Sequence, residues 1–211
     1  MFQKTSDLKT NTPHYESAIY AFSTLGNDPF KSPIMALSVL PFFNVVSNPD
    51  TPEHFQRLVN ATTVWKFDVA EQLRMFDRVM HKSAESELQK PHVKLLAKPS
   101  QYDISVNMLP NIFAEIKDKK QIFTRGNTFA PVVLSTFLQK LDLNDVYDWW
   151  KVRDVRSFVE GLAFGSDLQH NFVPKGAQGH VSEMDPRHNV ALDAMRIQVL
   201  ASEIEDEEIP F

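Results

Sequence analysis

A chain of 211 residues with 43% hydrophobic residues, 23% charged residues and sixteen phenylalanines is long enough to bury a full core in one domain without staples. It has no cysteine, which excludes disulfides, thiolate zinc sites and a cysteine nucleophile and leaves the redox compartment open. A formal charge of -5 excludes a generic polyanion-binding surface, because non-specific nucleic-acid affinity needs clustered lysines and arginines; a local basic groove stays compatible with it.

The N-terminus, MFQKTSDLKTNTP, is polar and lacks the apolar centre of a signal peptide, so residues 1–16 read as a flexible arm. The domain proper is expected from 17 to 202. Ala18 to Ser23 is a buried strand that runs into the turn Gly26-Asn27-Asp28-Pro29, and Pro33 to Phe43 is a second strand, the two forming a hairpin. The longest apolar stretch, Pro33 to Val46, is broken by Ser38, Pro41 and Asn44 and is shorter than a bilayer span. The expectation is therefore a soluble, cytoplasmic protein with no membrane partner.

From Thr51 to Lys120 the pattern turns helical: Phe55, Leu58 and Val59, then Val69, Leu73, Phe76, Val79 and Met80, and later Ile104, Met108, Ile112, Phe113 and Ile116 recur at three and four. Between them HKSAESELQKPHVKLLAKPSQ, with two prolines and many charges, reads as an exposed connector. QIFTRG is a short strand ended by Gly126, and PVVLSTFLQKLDL is a helix opened by Pro131. YDWWKVRDV alternates into another strand and RSFVEGLAF is a helix. A long glycine-containing loop then leads to a last helix opened by Asp185-Pro186, and residues 203–211 form an acidic tail with Glu203, Glu205, Asp206, Glu207 and Glu208. The order β, β, helices, β, α, β, α, α is that of a mixed sheet with helices on its faces.

Several motifs are collinear along this chain. WWKVRDVRSFVEGL, then VPKG, then RHNVALDA resemble the C-terminal half of the exonuclease A type of 3'-5' exonuclease of T-even-like bacteriophages, in the DEDDh branch of the ribonuclease H-like superfamily. RGNTFAPVVL is similar to that family's second motif, TTVWK to its Thr-x-x-Trp-Trp-Lys segment, and AFSTLGNDP with IMALSVLPF to its first motif. The resemblance covers most of residues 18 to 200. It implies an α/β fold, a ribonuclease H-like mixed β-sheet flanked by α-helices.

In the family, four carboxylates hold two divalent ions and a histidine acts as general base. Carried over by position, the first motif's Asp and Glu fall on Ala21 and Ser23 and the second motif's Asp on Ala130; only the third motif survives, as His188 and Asp193. One aspartate cannot offset the mutual repulsion of two metal ions, so the resemblance implies degenerate metal positions at Ala21, Ser23 and Ala130 and no expected cofactor. The expected function is that of a pseudoenzyme that binds single-stranded nucleic acid or a host protein. The alternative is an active Mg2+- or Mn2+-dependent exonuclease, altered here or using other ligands such as Asp28 and Asp154. A bacterial host cytoplasm and a homodimer are further implications of the resemblance.

Each of these residues also has a plain reading. His188 is a solvated first-turn residue or a remnant base, and Asp193 is a remnant ligand or an exposed acid paired with Arg196 or Arg187. Arg125, Arg153, Arg156 and Lys175 are candidate nucleic-acid contacts or solvated cations, and Asp154 lines a phosphate path or caps a helix. Trp65, Trp149 and Trp150 stack bases or belong to the core, at least two of them being expected in the core.

Overall fold

The structure is a computed structural model, and it describes residues 15–206 apart from 77, 80–81, 127, 165–167 and 183–184. The apolar hairpin forms as read. β1 (Ser17–Thr24) and β2 (Ile34–Phe42) pair antiparallel, with Tyr20 opposite Val39, Ala21 opposite Ser38 and an irregularity at Ser23/Thr24. β2 is buried along nearly all its length, which suits an apolar run without alternation that is covered on both faces.

Thr51 accepts the amide of His54 and Pro52 fills the first turn, so α1 (Pro52–Ala61) starts where the sequence places a helix. It is followed at once by β3 (Thr63–Lys66), antiparallel to β2 with Trp65 opposite Leu37. This strand corrects the helical reading of 51–120: its Thr-Val-Trp content favours a strand, but four residues are too few to show a period. Asp68 caps α2 (Val69–Met75), which ends before Val79; Val79 is exposed, and Met80 lies outside the described residues.

The connector is likewise not an exposed excursion. It contains α3 (Lys82–Glu87) and α4 (Pro91–Ala97), and Ala84 and Val93 are buried with Leu25 and Met35 in a small satellite core. A turn of 3-10 helix at Val106–Met108 leads into α5 (Leu109–Ala114), which buries Leu109, Ile112 and Phe113. β4 (Gln121–Thr124) joins β1 in parallel, and α6 (Ala130–Lys140) opens with Pro131 in its first turn. β5 (Val152–Asp154) is parallel to β4 and shorter than YDWWKVRDV suggests, because Trp149–Lys151 wind as a 3-10 turn. α7 (Val155–Leu162) follows directly, and α8 (Pro186–Asp206) closes the described chain.

The five strands lie in the order β3-β2-β1-β4-β5, a mixed sheet flanked by helices, consistent with a ribonuclease H-like α/β fold. The period of two along β1 divides two cores between its faces. Ala18 and Tyr20 pack with Phe113 of α5 and Phe137 of α6, while Ile19 packs with Phe55 of α1, Val159 of α7 and Met195 of α8. The Tyr20 and Tyr147 hydroxyls meet at 2.6 Å inside the first core.

The expected ends shift. Tyr15 stacks on Phe43 and the Glu16 carboxylate accepts the Asn44 amide, so these two residues belong to the domain; the rest of the expected arm, 1–14, lies outside the described residues. α8 continues through residue 203 to Asp206 without a break, and the tail from 207 lies outside the described residues. No helix among the described residues is long and apolar enough to cross a membrane.

Candidate functional site

α8 carries the candidate site. Residues four apart on a helix share a face, and Asn189 and Asp193 of α8 both line a cleft of about 170 Å³ with Arg125, Arg156, His170, Asn171, Leu192 and Arg196. Arg125 reaches the cleft from the end of β4. There Gly126 takes φ 83°, a conformation that favours glycine, and its amide donates to the Asp154 carboxylate at 2.7 Å.

Asp193 is buried and fully engaged. The Arg125 Nε donates to its Oδ2 at 2.9 Å and the Arg125 Nη2 to its Oδ1 at 2.6 Å, a two-pronged guanidinium-carboxylate pair. Arg196, three residues along α8, donates from Nη1 to Oδ1 at 2.6 Å, and its other nitrogens donate to the carbonyls of Phe172 and Asn171. Burial would lower the Arg125 guanidinium, but the hydrogen bond and charge of Asp193 outweigh it and hold Arg125 above its ordinary pKa. Burial prevails at Arg196, whose pKa is drawn down against the pull of Asp193.

The structure thus settles the pairing of Asp193. Its partners are Arg196 and Arg125, it is buried rather than exposed, and Arg187 turns instead to Asp185. That ion pair, ahead of the opposing cost of burial, holds Asp185 below the usual carboxylate range.

His188, expected to pair with Asp193 at the site, does not line the cleft. Five residues separate His188 from Asp193, which turns them about 140° apart around the helix. The His188 Nδ1 accepts the Ser182 amide at 2.8 Å, and the ring meets Phe55 edge-on at 5.5 Å. His188 therefore fastens the loop before α8 to the body of the protein, and it is half-buried rather than solvated.

The three positions expected to have lost metal ligands have different surroundings. Ala21 packs against the core of α1, α7 and α8, and Ser23 lines a second cleft of about 170 Å³ with Thr24, Met35, Glu87, His92, Pro186 and Asn189. Asn189 is common to both clefts, so they adjoin along α8. Ala130, at the start of α6, is buried in the opposite core with Val133 and Leu134.

Among the remaining candidates, Arg156 lines the Asp193 cleft, whereas Arg153 lies beside it on β5 and donates to the carbonyls of Trp150 and Val152. Lys175 is exposed in a 3-10 turn and does not line the Asp193 cleft. The loop that carries it is docked on the body of the protein: the Gly176 amide donates to Asp50 at 2.7 Å, and a Cβ on Gly176 would stand 2.4 Å from the Thr51 backbone. Asp154 caps α7 by accepting the Ser157 amide at 3.0 Å, and Asp28 accepts the amides of Phe30 and Lys31. Trp65 packs against the first core; Trp149 and Trp150 are exposed, so the expectation of two core tryptophans is corrected. Short strand length and the 3-10 turn at 149–151 put both indoles outside the sheet.

A paired divalent-metal centre does not fit these residues. Both oxygens of Asp193 already accept from guanidinium groups, cations that repel a metal ion, and Ala21 and Ala130 offer no donor atoms. Among the described residues no three of His, Asp and Glu converge in a way that would hold a metal.

Arg125 and Asp193 are sixty-eight positions apart, a separation that no sequence period spans. Asn189 was missed although its spacing of four from Asp193 is a usable signal. His170 and Asn171 enter from the loop between α7 and α8, where no pattern marks them. Compared with known proteins, the chain matches no protein-family model, and no curated protein gives a significant match.

Proposed function

We propose that this chain is a catalytically inactive relative of the DEDDh-type phage exonucleases that binds single-stranded nucleic acid at the Asp193 cleft. The single observation that carries the reading is the clamp of Arg125 and Arg196 on Asp193: the carboxylate left from the motif is neutralised by arginines. The cleft lining holds Arg125, Arg156 and Arg196 against one carboxylate, so it attracts phosphate while the chain as a whole is acidic. Action in a bacterial host's cytoplasm follows from the same likeness.

A working metal-dependent exonuclease with Asp28 and Asp154 as substitute ligands is less well supported, because both carboxylates are engaged with backbone amides. A host-protein partner has one specific point in its favour. Exposed Trp149 and Trp150 border a hollow of about 500 Å³ with Tyr147, Lys117 and Asp118, and exposed indoles are typical anchors of protein interfaces.

The test is fluorescence anisotropy with a 5'-labelled single strand, alongside electrophoresis of the same strand after incubation with Mg2+ or Mn2+. Saturable binding without shortening is expected. Metal-dependent release of nucleotides from the 3' end would overturn the proposal, and absence of any binding would move the assignment to a protein partner.

A further inference from the structure

We infer that the Asp193 cleft is a pocket for a phosphate monoester, gripped by Arg125 and Arg156. The inference rests on the nucleic-acid reading for the source of that group, the phosphorylated end of a strand.

Asp193 acts here as a holder. With its Nε and Nη2 fixed on the carboxylate, Arg125 has one edge of its guanidinium immobilised, and its Nη1 has no hydrogen-bond partner among the described residues. The Arg125 side chain is 34% exposed and lines the cleft. Arg156 is exposed on the same cleft and makes no hydrogen bond to a described residue. Asp193 itself does not repel an incoming anion strongly, since guanidinium nitrogens cover both its oxygens.

Charge and size select the ligand. In the lining Arg125, Arg156 and Arg196 stand against Asp193, while Asp154 beside the lining pulls on Arg156 and His170 is engaged with Glu160 at 2.8 Å. A monoester dianion, with two charges and three terminal oxygens, gains more from these guanidinium groups than an internal diester with one charge. A volume of about 170 Å³ equals roughly six water molecules, room for a phosphate and its hydration. The Asn189 and Asn171 amides add neutral donors for the ester or hydroxyl oxygens.

The experiment compares one short thymidine strand in three forms, with a 5'-phosphate, with a 3'-phosphate and with hydroxyls at both ends, by anisotropy competition, with thymidine monophosphate and inorganic phosphate as separate arms. One phosphorylated form is expected to bind about tenfold or more tightly than the hydroxyl form, the size of a charge-assisted hydrogen-bond pair. R156Q should abolish that preference and R153Q should keep it, both residues being exposed so that folding is not at stake. Equal binding of all three forms would overturn the phosphate pocket and leave strand binding intact. Binding of thymidine monophosphate or inorganic phosphate with no binding of any strand would keep the pocket and overturn its source. No binding in any arm would overturn both.

Discussion

Replacing Asp193 with asparagine separates a structural clamp from a vestigial metal ligand. The side chain is 4% exposed and receives bonds from Arg196, itself 7% exposed, and from the more accessible Arg125. Asparagine keeps the volume and one acceptor oxygen but leaves the Arg196 guanidinium buried without a counter-charge. Removing one partner of a buried pair costs about 3–5 kcal/mol, and the retained acceptor together with solvent screening of Arg125 puts D193N near the low end, about 3 kcal/mol. For a chain of this length that is a fall in Tm of roughly 6–12 °C, at about 2–4 °C per kcal/mol. Urea and thermal denaturation followed by circular dichroism at pH 7 measure it. A carboxylate retained for a cation is unsatisfied without one, so neutralising it would leave stability level or raise it. A loss below about 1 kcal/mol, or any gain, would refute the clamp.

The buried His54 imidazole donates from Nε2 to the Gln198 side-chain oxygen at 2.7 Å and accepts at Nδ1 from the Arg57 guanidinium at 3.2 Å. Burial lowers its pKa, Arg57 adds to the lowering, and the Gln198 bond opposes it without prevailing. The unfolded chain therefore takes up the proton first: stability contributed by neutral His54 is present above about pH 6.5 and declines as pH falls from there toward the folded value. Urea midpoints measured from pH 8 to 5 should show that decline in the wild type and a shallower one in H54N; parallel curves would contradict it. G176A should cost about 1–3 kcal/mol, because its methyl group meets the Thr51 backbone and not a side chain that can swing away; an unchanged urea midpoint would contradict it. The combination A21D/S23E/A130D should release no nucleotide from a labelled strand in Mg2+ or Mn2+, because Asp193 stays held by two arginines and Ala130 is set in the other core. Cleavage by that variant would show that the groove is still competent.

The parts legible in the sequence are those governed by local rules. The β1–β2 hairpin showed in its apolar content, α6 in Pro131, α7 in the Asp154 cap and α8 in Asp185-Pro186, and each is found at or near the expected residues. β3 escaped because four residues carry no period, and α3 and α4 escaped because Ala84 and Val93 are lone apolar contacts among charges. At the site, spacing along α8 pointed to the Asp193–Arg196 pair, whereas the link to Arg125 exists only once β4 is laid beside α8. The tryptophans misled because apolar size suggests burial, while the short β5 leaves Trp149 and Trp150 beyond the sheet.

From Val190 to Leu200 every residue of α8 is buried, between the sheet and the neighbouring helices α1 and α7. The helix that supplies Asn189, Asp193 and Arg196 is thus also the piece around which one whole half of the molecule is assembled. Such a wall has little freedom to swing, so a visitor meets a shape already made, and most of the ordering entropy of recognition is spent during folding instead of on encounter.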